Sequence, residues 1–585
     1  MPELLAPAGS PAALTAALKA GADAVYLGAG SFNARINAKN FTLENLPHAV
    51  AEAHEAGAKL YLTLNTLVYD REMRDWLATA EAAYLAGVDA LIVADLGGAM
   101  ALRRTFPDMP LHASTQMSGH NADAARRLAA LGFERMVLAR ELSADNIAEF
   151  CKNSPIEAEV FVHGALCVCH SGQCLFSSIV GGRSGNRGEC AQPCRLPYTT
   201  AQGKGYPLSL KDLSLAEHLP RLIYAGVASL KIEGRMKAPE YVAAVTAVWR
   251  NLLDERRAAT EREMRYLANI FSRSGFTDGY YTESISRRML GVRTESDKAK
   301  SSASDIKIKK AERRTALPTR ADGGSRAGKY EKLKPSGKRT RTRTAYFSSP
   351  AQYTAAARDF FDLAFIPAEQ YAAAVRTGIR FDGVALPPVI PDSEKSEVAA
   401  LLNSAKRAGA RHALVGNVGH IDLCLEAGLI PHGDFRLNVC NAETAAALEA
   451  LGFSDFILSP ELTLPRIRDI GGDSRAIVYG RLPLMITEKC VGKECGTCRD
   501  CENGKACLTD RVGKKFPVLR VFRHRSMIVN SLPTYMGDCP AELRSAGIIG
   551  EHYIFTTESA REVDRIISAQ KKNAPIGSCR RIAKK

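Results

Sequence analysis

An α/β fold is predicted for this chain: a TIM-barrel-like N-terminal domain with a cysteine-rich insertion, followed by a diverged second α/β, barrel-like repeat. Three observations predict it. Short apolar runs alternate with Ala-rich helical stretches up to about residue 250; most of these strand–helix units are roughly 30 residues long, as right-handed βαβ crossovers require; and segments of the first half recur in the second. The apolar runs are continuous rather than alternating, which fits parallel strands buried on both faces.

In order, the predicted strands are Glu3 to Ala6, Ala24 to Leu27, Lys59 to Leu64, Ala90 to Ala94, Leu111 to Ser114, Arg135 to Leu138, Glu159 to Val162 and Ser229 to Ile232. A doubly wound open sheet is the alternative. If the sheet closes, residues just after each strand gather at one face, where barrel enzymes place their sites. That set is polar: Asn65, Asp95, Ser114, Gln116, Arg140, Glu141, His163, Lys231, Glu233 and Arg235, with the backbone of Ala6 to Gly9 and Gly28.

The repeat is legible at an offset of 320, where Leu451 to Leu462 aligns with Leu131 to Leu142. Phe435 to Val439 is matched to Leu111 to Thr115, and Ala476 to Gly480 to Glu159 to Gly164. Pro460 stands where Arg140 was and Tyr479 where His163 was, so the second copy is expected to bind or scaffold. The expected division is 1–290 for the catalytic barrel, 291–344 for a basic linker, 345–510 for the repeat and 511–585 for a small C-terminal β/α segment.

With 585 residues, 46% of them apolar, and no run approaching a membrane span, a multidomain protein without membrane attachment is expected. Of the net charge of +15, residues 296–343 alone contribute +11, from 16 Lys and Arg against 5 Asp and Glu. That stretch is too polar to bury a core and reads as a flexible tether, with affinity for phosphate backbones as its functional alternative. The start of the chain lacks a basic and then apolar leader, so a cytoplasmic, reducing setting is expected.

Cys167, Cys174, Cys190 and Cys194 lie in one Gly-rich polar stretch that leaves the His163 strand end. Thiols at that density suit an iron–sulfur cluster or zinc, with disulfides as the competing reading. A second group, Cys490, Cys495, Cys498 and Cys501 with Cys507 to spare, suggests zinc first, a second cluster next, and unligated reduced thiols third.

The run His163-Gly164-Ala165-Leu166-Cys167, then Ser171-Gly172-Gln173-Cys174 and Gly182-Arg183-Ser184-Gly185-Asn186-Arg187-Gly188-Glu189-Cys190-Ala191-Gln192-Pro193-Cys194, resembles the peptidase U32 family. Leu5 to Ser10, Asp23 to Gly28 and Leu230 to Lys237 carry the same resemblance, and Leu508 to Arg511 with Phe516 to Val518 resembles the longer members. The family name implies collagen-degrading proteolysis. Its better understood bacterial members imply iron–sulfur proteins that install hydroxyl groups on a 23S ribosomal RNA cytidine, a transfer RNA uridine or a ubiquinone precursor. The RNA-modifying members imply prephenate as the source for hydroxylation, and the ribosomal RNA branch is the one this chain most resembles. The resemblance carries a [4Fe–4S] cluster onto Cys167, Cys174 and Cys190. Cys194 is taken as fourth ligand, because the later position used by some members has no Cys here.

On this reading His163, Glu233 and Lys231 are the proton-transfer candidates, with His163 alternatively donating to a cluster sulfur. Arg140, Arg235 and Lys231 would clamp a carboxylate donor, and Glu141, Asn65 and Gln116 would complete the substrate site. Two other functions stay open. A peptidase lacks an H-E-x-x-H helix or G-x-S-x-G elbow and would rest on Cys169 with His163 or His170; a cluster-bearing binding or assembly factor would need no turnover. Oligomeric state is not read from the sequence.

Overall fold

The computed structural model describes residues 1–295 except 37 and 39, residue 297, residues 327–333, and residues 342–583 except 472–473 and 503. All eight expected runs are strands. β1 (Glu3–Pro7), β2 (Ala24–Leu27), β3 (Lys59–Leu64), β4 (Ala90–Val93), β5 (Leu111–Ala113), β6 (Phe133–Val137), β7 (Glu157–Gly164) and β8 (Ser229–Ile232) pair in parallel, and β8 bonds to both β7 and β1. That double pairing closes the sheet and rules out the open alternative.

The second half closes in the same way. β9 (Arg343–Phe347), β10 (Leu363–Pro367), β11 (Gly383–Ala385), β12 (His412–Val415), β13 (Ile430–Gly433), β14 (Asp455–Ile457), β15 (Ser474–Gly480) and β16 (Gly550–Phe555) form a second parallel barrel in which β16 joins β15 to β9. Two expectations are corrected. Residues 511–585 are not a separate segment, since they supply β16 and the helix Ala560–Lys571. Phe435–Val439 is no strand: its first three residues form a 3₁₀ turn after β13, the counterpart of Thr115–Met117 after β5. Its apolar side chains misled because that turn is buried. Most of the predicted linker lies outside the described residues. Of the remainder, Tyr330 and Leu333 donate to Glu443 (both 2.9 Å) and Lys332 pairs with Asp70 (2.9 Å).

The barrels meet across a pseudo-two-fold joint in which the helix-cap contacts occur twice. Helix α1 (Leu96–Thr105) follows β4, and α2 (Ala122–Ala130) and α3 (Ala442–Ala450) are equivalent helices capped by Asn121 and Asn441. Asn121 donates to the Ile390 carbonyl (2.8 Å) and Asn441 to that of Val68 (2.7 Å). The first amide of each helix also finds a carboxylate of the other barrel, Ala122 on Asp392 (3.0 Å) and Ala442 on Asp70 (3.2 Å). Each cap is seated on a glycine, Asn121 on Gly419 and Asn441 on Gly97; a methyl at either would run into the cap or the amides behind it.

Both barrels also insert a long segment between their last two strands, and the insertions merge. Strands Pro483–Thr487, Lys515–Val521, Arg525–Val529 and Cys507–Thr509 of the second insertion are extended by the hairpin Tyr198–Gly205 of the first into one six-stranded sheet. The first cysteine loop is laced to that sheet by the amides of His170 on Ile486 (2.7 Å) and Leu175 on Leu484 (2.8 Å).

Candidate functional site

The first cysteine loop roofs the mouth of the first barrel. Gly172 rests on the Gln116 carbonyl and Gly188 on Asn33 and Ala34, each with positive φ and no room for a side chain. Arg187 ties the loop down further, on Glu72 (2.8 Å) and the Leu67 carbonyl (2.7 Å).

Beneath the roof, Glu233 lies between Arg35 and Arg140, 3.4 Å from each. Burial alone would raise its carboxyl, but Arg35, Arg140 and Arg235 outweigh burial and hold it below the usual carboxylate range. Arg35 also faces the roof, where Cys167 and Cys190 stand close enough to favour its charge. Arg235 is buried and donates to Thr63 (2.8 Å) and Asn33 (3.3 Å), its pKa lowered to about 10 by burial. Asn65 accepts from the Ala34 amide (3.0 Å) and donates to Ser114 (3.3 Å), and Gln116 stands beside it on the rim.

His163, at the end of β7, is buried with both ring nitrogens unpartnered, its ring against Phe276 and Tyr241. Burial, reinforced by Lys237, lowers its pKa to about 3, so the ring is neutral. Neither His163 nor Glu233 is tuned toward neutrality: both move away from it, one because it is desolvated and the other because cations surround it. The group that does move there is Lys237, lowered to about 7 by burial against the pull of Asp212. It ends the Glu233-Gly234-Arg235-Met236-Lys237 motif, and that position was the signal in the sequence.

Two further expectations change. Lys231 is committed to Glu159 (2.6 Å) inside the barrel, where Glu159 is fully buried and Arg135 bridges it to Glu3. A buried carboxylate requires a counter-charge, so Lys231 is neither a clamp nor a proton carrier. Lys231→Met should cost about 3 kcal/mol by leaving the buried Glu159 with only the longer 3.4 Å pairing to Arg135, checked by denaturant unfolding. Glu141 points under the roof, 3.4 Å from the Ser171 amide and 3.7 Å from His170, and so supports the loop rather than a substrate.

All fifteen cysteines are described and none is in a disulfide. Cys167, Cys174 and Cys190 all lie within electrostatic reach of the Cys194 thiol, which burial raises to about 12. Cys174 is held below the ordinary thiol value, first by the Cys169 thiol that hydrogen-bonds to it and then by the amides of Phe176 and Ser177. The Gln192 amide donates to the Cys190 sulfur (3.3 Å). The donor set, four thiols within electrostatic reach with N–H donors on two of them, is of the kind that binds a cluster as thiolates, although no three His, Cys, Asp or Glu side chains among the described residues stand in metal-ligand geometry. In the second group Cys495 feels Cys507, Cys501 and Cys490, while Cys498 is exposed.

The mouth of the second barrel opens on a cavity of about 650 Å³ lined by Tyr346, Glu369, Arg436, Arg520 and His552. No described helix is long and apolar enough to cross a membrane.

A closed parallel barrel whose mouth is roofed by a four-cysteine loop, with an Arg–Glu–Arg cluster below, defines the class, and the comparison with family models agrees. The chain belongs to peptidase family U32, whose model matches residues 9–290 and 383–511. It is 44% identical over 259 residues to the 23S rRNA 5-hydroxycytidine C2501 synthase of Escherichia coli (strain K12), covering 43% of this chain and 39% of that protein. It is 41% identical over 269 residues to tRNA hydroxylation protein P1 of Bacillus subtilis (strain 168), covering 43% of this chain and 63% of that protein. It is also 36% identical over 306 residues to a collagenase of Porphyromonas gingivalis, covering 48% and 73%. The chain thus spans less than two thirds of the first two relatives.

Proposed function

We propose that this protein hydroxylates a base in RNA, an rRNA cytidine being the first substrate to test, with an iron–sulfur cluster on Cys167, Cys174, Cys190 and Cys194 and a prephenate-like carboxylate as oxygen donor. The observation that carries the reading is Arg35, which stands 3.4 Å from Glu233 and within electrostatic reach of Cys167 and Cys190. A substrate bound there reaches the cluster and the barrel mouth together. Similarity to proteins named for rRNA and tRNA hydroxylation supports the RNA substrate.

Installing a hydroxyl on a ring carbon removes two electrons from the base; the donor takes them up as it gives its oxygen, and the bound cluster would relay them. The chain's own residues bind and orient. Arg35, Arg140 and Arg235 act on the Glu233 carboxylate, and Lys237 feels both Asp212 and Glu233, so cations outnumber carboxylates and the mouth favours an anion, donor carboxylate or RNA phosphate. Neutral His163 presents one donor and one acceptor nitrogen, suited to a base edge or to a cluster sulfur. Lys237 loses its proton as pH rises through about 7, so donor affinity should fall across that range, whereas Lys237→Arg should flatten the profile. Donor titrations at several pH values check this.

Peptide cleavage draws no support from these side chains. The Cys169 thiol is buried, raised well above the usual range and engaged with Cys174, and His170 is engaged with Glu488 (3.0 Å). The test is nucleoside mass spectrometry on rRNA and tRNA from wild-type cells, a deletion strain and the complemented strain. Loss and recovery of one hydroxylated pyrimidine is expected; identical nucleosides in all three would overturn the proposal.

A further inference from the structure

We propose that Cys490, Cys495, Cys501 and Cys507 bind a structural zinc ion that organises the second insertion and, through the shared sheet, sets the position of the Cys190–Cys194 limb of the roof. The second half of that statement rests on the cluster reading above; the first half does not.

The four thiols come from four consecutive pieces of one small subdomain. Cys490 follows the strand Pro483–Thr487, Cys495 ends the helix Gly492–Cys495, Cys501 lies in the helix Cys498–Glu502, and Cys507 opens the strand Cys507–Thr509. Helices of four and five residues are far below the length at which a helix persists unaided, so something other than helix propensity must hold them.

The thiols are grouped in this subdomain, although no three of them stand in metal-ligand geometry. Cys507, Cys501 and Cys490 all stand within electrostatic reach of Cys495. Gly492 packs onto two of the sulfurs, since a Cβ there would lie 3.0 Å from the Cys501 Sγ and 3.7 Å from the Cys490 Sγ. Cys498, the fourth residue suggested by spacing, is exposed on the far side of its short helix. The set is therefore C-x4-C-x5-C-x5-C, with Cys507 in place of Cys498. Zinc holds four such sulfurs tetrahedrally at about 2.3 Å and contributes folding free energy outright. Binding draws the sulfurs together from these positions, and the two short helices can follow.

The link to the roof is covalent and hydrogen-bonded. Two residues beyond Cys507, Thr509 pairs with Thr199 of the hairpin that extends the sheet. That hairpin begins four residues after Cys194, and the Tyr198 hydroxyl reaches back to the Pro193 carbonyl (3.0 Å). On its other side, Gln202 donates to the Lys493 carbonyl (2.7 Å), and Arg287 joins Gln202 (2.6 Å) to Glu494 (2.6 Å). Loosening the second thiol group frees the hairpin and with it one side of the roof.

The experiment measures zinc and iron in full-length Cys174→Ser protein, purified without air, so that the first group is disabled. About one zinc per chain and no visible absorbance are expected. Cobalt exchanged into the same variant should give the intense thiolate charge-transfer and visible bands of a tetrahedral four-sulfur site. Neither metal bound, or iron with a cluster spectrum instead of zinc, overturns the proposal. Cys501→Ser should lose the zinc while Cys498→Ser keeps it; the reverse pattern also overturns it. Should Cys501→Ser fail to fold, stepwise thiol blocking of the Cys174→Ser protein with a zinc indicator replaces it, release of zinc on modification being the expected result. Cys507→Ser tests the coupling by reduced cluster incorporation at the first group; full incorporation there removes the link to the roof and leaves the zinc site standing.

Discussion

Cys174→Ser should abolish cluster binding at the roof and, with it, RNA modification. The Cys174 thiol is depressed below its ordinary value, because the Cys169 thiol and the amides of Phe176 and Ser177 hydrogen-bond to its sulfur. Its sulfur is thereby favoured as a thiolate, the form a metal needs. A serine at this position replaces a soft ligand by a hard, protonated hydroxyl. Anaerobic reconstitution followed by iron analysis and a visible spectrum reads the first effect, and nucleoside analysis of complemented cells the second. Cys169→Ser should keep the cluster, since its hydroxyl still donates to Cys174. Equal loss in both variants would place Cys169 among the ligands, and full loading of Cys174→Ser would remove the roof from the chemistry.

Asp95→Ala should uncouple the two barrels. The Asp95 carboxylate is buried at the joint and accepts from the amides of Gly98 (2.8 Å) and Val68 (3.0 Å), from Asn441 (2.9 Å) and from the Thr444 hydroxyl (3.2 Å). Burial pushes its pKa up, and those donors pull it back. Alanine leaves them facing a dry gap, each hydrogen bond to a charged group being worth about 1.5–3 kcal/mol and the set less than additive. A loss of about 3–5 kcal/mol is expected, with one calorimetric transition splitting into two. Asp95→Asn, which retains an acceptor oxygen, should lose less. A single unshifted transition for the alanine variant would mean that the joint is held elsewhere.

The strand order and the repeat were legible in the sequence because a parallel strand buried on both faces is written as an uninterrupted apolar run. Such runs as Ala24 to Leu27 have few other solutions. The roof was legible too, since cysteine spacing survives any register of the surrounding loop. Four features were not. Lys231 read as a mouth residue, and only closure of the barrel turned it inward against Glu159. Glu141 was drawn under the roof by Ser171 and His170, thirty or so positions away. Arg35 lies in a loop with no periodicity to mark it, and Cys498 is exposed because a five-residue helix turns one of its thiols outward.

Taken by itself, the sequence determined two α/β barrels, a thiol-rich loop at the end of the seventh strand and a polar rim, all carried by patterns local to a few residues. The tertiary structure decided which rim residues face one another and which charges cancel. It also decided that the last strand of the second barrel comes from the C-terminal segment and that the two insertions share a single sheet. Those outcomes depend on contacts between residues some 200 to 370 positions apart in the chain, as between Tyr26 and Ile232 or Val68 and Asn441. Pairings of that kind are fixed by closure and packing, which no window of sequence contains.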